Sequence, residues 1–153
     1  MTLIQKAALF FAGVFLVVFI VTNIPAFNDA QGYNFGLFKI DPIDNIVHLL
    51  TVLIGAFAAW YSAQVSRWFL ILFGTFYGLD ALVGLFTQQG LLDFTVILQA
   101  ASNVSKILNP DLGIKNFLIN APHVGISIAM VVSGCWGVLS RARSITELKM
   151  RIR

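Results

Sequence analysis

Four long apolar runs set the rhythm of the chain, at residues 7–24, 46–65, 68–86 and 121–139, and none of them alternates with a period of two. A helix needs about 20 apolar residues to cross the hydrocarbon core of a bilayer. In lipid, an unbroken run of that kind satisfies its own backbone only as a helix. The pattern predicts an all-α fold: a four-transmembrane-helix bundle forming one membrane domain over 1–153. Between the third and fourth runs, 91–108 mixes Leu91, Phe94, Val96, Ile97 and Leu108 with Asp93, Gln99, Asn103 and Lys106. This composition suits an extra amphipathic helix lying on the membrane surface or capping the bundle, and Asn109-Pro110-Asp111 stops it. The earlier loop, 25–44, carries turn residues (Asn28, Asp29, Gly32, Asn34, Gly36) and little else.

Composition strengthens the membrane reading: 58% hydrophobic and 11% charged residues, with a mean hydropathy of +0.85, lie outside the soluble range. Although the net charge is +3, the cations form no stripe interleaved with exposed aromatics, so nucleic acid is not an expected partner. Instead they report orientation. Lys6, Arg67, Arg141, Arg143, Lys149, Arg151 and Arg153 fall on one side, whereas Lys39, Lys106 and Lys115 share the other with Asp29, Asp41, Asp44, Asp93 and Asp111. The positive-inside rule then places both termini and a Ser66-Arg67 turn in the cytoplasm, with 140–153 as a basic tail against anionic headgroups. The first run is too long for a signal-peptide core and lacks a good small-x-small cleavage site, so it reads as helix one. The single cysteine, Cys135, sits in an apolar run and excludes paired-cysteine redox chemistry.

Helices in lipid associate where small residues let backbones approach. Helix two offers Thr51, Gly55, Ala59 and Ala63 at every fourth position, and helix three offers Gly74-x-x-x-Gly78. Helix four offers Ala121, Gly125, Ala129, Ser133 and Gly137 at the same spacing. These faces exceed what four helices need among themselves, which points to a homo-oligomer or to other membrane subunits as partners, besides the lipids.

Candidate chemistry is confined to one layer. The chain has two histidines in matching contexts, Asn45-Ile46-Val47-His48 and Asn120-Ala121-Pro122-His123, each at the outer start of a helix. Asn is a strong N-cap residue, so in this reading both asparagines cap helices and both imidazoles lie in a first turn at nearly the same depth. Asp80 in the outer half of helix three is the only carboxylate within a span, with Tyr77 one turn before it on the same face. A carboxylate at that depth is costly unless paired or protonated. His48, Asp80 and His123 are therefore expected to converge, with Asn45, Tyr77 and Asn120 around them. On helix four His123 projects about 200° from the Gly125 stripe, so the two cannot face one neighbour.

The four spans, the Asn-x-x-His with small residues behind it (Asn45, His48, Gly55, Ala58, Ala59) and the second His with a nearby Gly (Asn120, His123, Gly125) resemble a family of small bacterial four-helix membrane proteins. That family is known only as a domain of unknown function. The likeness runs over most of Asn45 to Gly137 and departs from the usual pattern in a longer loop between helices three and four and in Pro122 directly before the second His. It implies a fold and a pair of histidines, and no activity; the expected localisation is integral to a membrane, the bacterial cytoplasmic (inner) membrane.

Three functions fit these observations. The first is a structural or accessory subunit of a larger membrane complex or oligomer, consistent with the absence of a nucleophile-base pair, a phosphate loop or a metalloprotease motif. The second is a binder of haem, a chlorophyll-type tetrapyrrole or a metal through His48 and His123. Proton or ion handling through His48, Asp80 and His123 is the third, although no carboxylate, His, Lys or Arg continues the path into the inner half of the spans.

Overall fold

The computed structural model describes residues 1–39, 42–87, 90–91, 106–107 and 113–151, the last stretch with side chains as far as Trp136. Four helices form the body: α1 (Leu3–Thr22), α2 (Pro42–Tyr61), α3 (Ala63–Thr87) and α4 (Ile114–Arg151). All four are long and apolar enough to cross a membrane. Their apolar side chains also face outward: Phe10, Leu53, Leu72 and Ile128 are each more than half exposed. In water such a surface would be untenable, and in lipid it is the ordinary perimeter.

The helices form two antiparallel pairs, α1 with α2 and α3 with α4. Gln5 near the start of α1 donates to the Ala59 carbonyl near the end of α2, and Thr22 at the far end of α1 donates to Asn45. Asn116 at the start of α4 reaches the Leu85 carbonyl late in α3, while Gly134 lies against Leu70 and Ile71 early in α3. Both termini thus lie at one end of the bundle, here the terminal end, and the long connections lie at the other, the loop end. Helix α3 touches all three others, whereas α1 and α4 meet only sparsely. The contrast leaves a cleft between α1 and α4.

Close packing rests on small residues at three places. A Cβ on Gly55 would come within 2.7 Å of the Phe69 ring and 3.1 Å of Ala12. At Gly74 it would meet Met130 and Val131 at 2.9 Å, and at Gly78 the Ser127 hydroxyl at 2.5 Å. The expected small-residue face of helix four is different: among the described residues Gly125 and Ala129 are exposed, and none has an atom within 4 Å of a Cβ on Gly125. As an intramolecular packing surface that reading is corrected. Asn116, Asn120, His123, Ser127, Met130 and Gly134 occupy the inward face instead, and the stripe is turned away by the angular offset of His123 from Gly125. Gly137 lies beyond the described side chains.

Several boundaries also move. Helix α2 ends at Tyr61, and the tight turn falls at Ser62 rather than at Ser66-Arg67. Ser62 holds the first turn of α3 by accepting from the Val65 N–H, and the Ser66 hydroxyl returns to the Ala58 and Ser62 carbonyls. Helix α4 begins at Ile114, well before the fourth apolar run, and passes through Pro122 into the basic tail without a break. The expected surface helix over 91–108 lies outside the described residues except for Leu91 and a helical Lys106-Ile107.

Candidate functional site: a polar cavity at the loop end

The connection after α1 is more ordered than its turn residues imply. Asp29 accepts from the Gln31 and Tyr33 N–H groups, and β1 (Tyr33–Asn34) pairs antiparallel with β2 (Phe38–Lys39). Gly32 and Gly36 take positive φ, and so does Phe35, at 53°. A bulky residue in the left-handed region is uncommon. Here it closes a small hairpin whose Phe35 ring packs on Phe27, 5.0 Å between centroids. The hairpin folds over the end of the bundle and roofs the cleft between α1 and α4.

Beneath it lies a cavity of about 340 Å³. Its apolar wall comes from Phe15, Val17, Val18 and Val21 of α1, Ile119 and Ile126 of α4, and Phe35 and Phe38 of the hairpin. Its polar wall is Thr22, Asn34, Asp44, His48, Asp80, Asn120 and His123. An apolar volume with a few converging polar groups is the usual form of a small-molecule site.

The polar groups are fixed from below. His123 Nδ1 lies 2.8 Å from Asp80 Oδ2, which is almost fully buried. This pairing answers the cost of a carboxylate in the bundle and leaves the other ring nitrogen, Nε2, for a further partner. Gly90 lies against Asp80 so closely that no Cβ would fit. The Tyr77 ring sits beside both imidazoles, parallel to His48 with centroids 6.4 Å apart and 5.6 Å from His123, and Phe15 stacks on it at 4.6 Å. Thr51 gives its one hydroxyl proton to the Val47 carbonyl at 2.8 Å, so across the 2.9 Å contact Tyr77 must be the donor. Tyr77 thereby backs the two imidazoles from within the packed core, its hydroxyl spent on helix α2.

His48 is different. It is 6% exposed, lines the cavity, and its Nδ1 is buried with no hydrogen-bond partner. Buried polar groups are nearly always satisfied.

The two asparagines do not cap helices. Asn45 lies inside α2, where its Oδ1 accepts from the Thr22 hydroxyl at 2.9 Å and from Asn23 at 3.2 Å. Asn120 lies inside α4 and donates to the Asn116 carbonyl and side chain at 2.9 and 3.0 Å, with Gly84 of α3 pressed against its Oδ1. Asn45 thus ties α1 to α2, and Asn120 belongs to a polar seam between α3 and α4. Asn116 and Ser127, which sequence reasoning passed over, complete that seam, and their spacing with Asn120 and His123 is that of one helix face. The roof residues Asn34, Phe35 and Phe38 were also passed over, because no local pattern says where a loop will fold. Among the described residues no group of three His, Cys, Asp or Glu side chains is placed to hold a metal ion.

The family model for DUF4383, a domain of unknown function, matches residues 5–108. The matched stretch carries His48, Tyr77 and Asp80 but not His123. No curated protein and no solved structure matches the chain.

Proposed function

The chain belongs to the DUF4383 family, and we propose that it is a membrane-embedded binding protein that takes a lipid-soluble molecule with a hydrogen-bonding head into the loop-end cavity. The observation that carries this reading is the buried, unpartnered Nδ1 of His48 in the wall of a cavity that also holds the Asp80–His123 pair. An unsatisfied buried polar atom costs about 1–3 kcal/mol. A ligand hydroxyl or carbonyl at His48 recovers that cost, while His123, held by Asp80, offers Nε2 to the same head. The body of the ligand lies along the valines of α1 and the two roofing phenylalanines. The volume, about 340 Å³, falls in the range of small-molecule sites, roughly 300–1,000 Å³.

Thermal unfolding of the detergent-purified protein tests the proposal with three probes: dodecanol, a decyl-substituted benzoquinone and dodecane. A headed probe should raise Tm and dodecane should not, and His48→Leu should abolish the difference. Equal stabilisation by dodecane would make the cavity a mere apolar gap. A tetrapyrrole is an alternative occupant, for which His123 with its carboxylate partner has the build of an axial ligand. A Soret band in the absorption spectrum of the purified protein would identify it.

A second reading, as an accessory subunit of a complex or oligomer, is favoured by the outward Gly125 and Ala129, which internal packing leaves unused. Loss of a higher assembly in Gly125→Leu, measured by light scattering, would support it. Proton transfer along the bundle has less in its favour: below the polar layer, the buried core around α1, α3 and α4 is Ala8, Phe11, Ala12, Phe69, Leu70 and Met130, and the buried Ser66 hydroxyl is spent on the Ala58 and Ser62 carbonyls.

A further inference from the structure

The α1–α4 cleft also opens at the terminal end, in a groove of about 1050 Å³ bounded by the start of α1, the Ser62 turn and the last described turns of α4. Arg67 lines it, and the Arg67 Nε is buried with no hydrogen-bond partner. No carboxylate is among the described residues of the wall, which otherwise presents Thr2, Ser62, Gln64, Ser133 and apolar side chains. A planar guanidinium half-withdrawn from solvent with an unsatisfied donor is suited to an anion with several acceptor oxygens such as a phosphate.

The aromatic residues fix where this groove sits relative to the bilayer. All three tryptophans of the chain, Trp60, Trp68 and Trp136, lie at this end, each more than half exposed, with Tyr61 beside them. Tryptophan and tyrosine gather at the level of the lipid headgroups. The groove therefore opens at headgroup depth, and Trp136 and Val132 on its rim, both exposed, run from it toward the hydrocarbon. We infer that this groove binds the phosphate of an anionic phospholipid, with Arg67 as the anion-binding residue, Ser62 and the first turn of α3 beside it, and the acyl chains along α4. A phospholipid fits better than a soluble phosphate compound because the apolar rim would be idle for the latter.

The test uses the full-length protein in neutral detergent, with apparent affinity read from the rise in Tm on titration. The probes are phosphatidylglycerol, phosphatidylcholine and inorganic phosphate. Phosphatidylglycerol should stabilise saturably and phosphatidylcholine should not. Arg67→Gln should weaken the phosphatidylglycerol response roughly tenfold or more, the scale of one charge-assisted hydrogen bond, while Arg67→Lys, which keeps the charge, should lose less. A tail variant, Arg141→Gln with Arg143→Gln, should respond like the parent. Equal responses to the two lipids, an unchanged response in Arg67→Gln, or loss in the tail variant alone would overturn the assignment. Full stabilisation by millimolar inorganic phosphate without lipid would overturn the lipid source and leave a soluble phosphate in its place.

Discussion

Asp80 and His48 sit in the same layer, yet their substitution should have opposite effects. Asp80 is buried and paired with His123. Removing one partner of a buried pair leaves the other uncompensated, at about 3–5 kcal/mol, so Asp80→Leu should lower stability by an amount of that order. Asp80→Asn keeps a hydrogen-bonding oxygen facing the imidazole and should cost only ~1 kcal/mol. Denaturant titration of the two variants in one detergent checks the order, and equal losses would mean that the 2.8 Å contact contributes little. His48→Leu exchanges an unsatisfied ring nitrogen for an apolar group, which is neutral or stabilising when the shape is kept. The expected result is an unfolding temperature at or above the parent's together with a weakened response to headed probes. A marked loss of stability would indicate that the ring is there for packing.

At the scale of the helix, glycines of similar appearance separate into two kinds. A Cβ on Gly74 would meet Met130 and Val131 at 2.9 Å, whereas one on Gly125 would meet none of the described residues within 4 Å. Gly74→Leu should thus destabilise the bundle by about 1–3 kcal/mol through overpacking, and Gly125→Leu should leave monomer stability within roughly 0.5 kcal/mol. Thermal unfolding of both variants decides this, and comparable losses would show that α4 buries its Gly125 face.

The contrast also explains what the sequence made legible. Helix α2 was readable because the small residues Thr51, Gly55 and Ala59 continue at helical spacing from His48, and all four are buried. Helix α4 was misread because Lys115, Asn116 and Asn120 depress hydropathy just where the helix begins. Starting it at Ala121 hid the face formed by Asn116, Asn120, His123 and Ser127 and turned the internal Asn120 into an apparent cap, as starting α2 at Ile46 did for Asn45.

For the molecule as a whole, the four-helix architecture follows from run length alone, and the convergence of Asp80 with His123 from the cost of a lone carboxylate in lipid. The roof does not, since Asn34, Phe35 and Phe38 reach the cavity through the path of a hairpin whose local sequence specifies only turns. Orientation follows from the cations: in a Cys135→Ala background, cysteine at Gly32 should be labelled by an impermeant reagent in intact cells and cysteine at Ser144 should not. The reverse pattern would invert the bundle, moving the Arg67 groove to the outer face.

The central claim, that the cavity-lining His48, with its unsatisfied Nδ1, takes up a ligand head, is open to one direct measurement because the chain contains only two histidines. With ¹⁵N-labelled histidine, the protein in micelles should give two imidazole spin systems: that of His123 carries a hydrogen-bonded Nδ1 and loses that signature in Asp80→Leu. Addition of dodecanol or the decyl-substituted benzoquinone should move the His48 nitrogens in a saturable manner, while dodecane leaves them in place. His48 resonances indifferent to every headed probe, or moved equally by dodecane, would contradict the account.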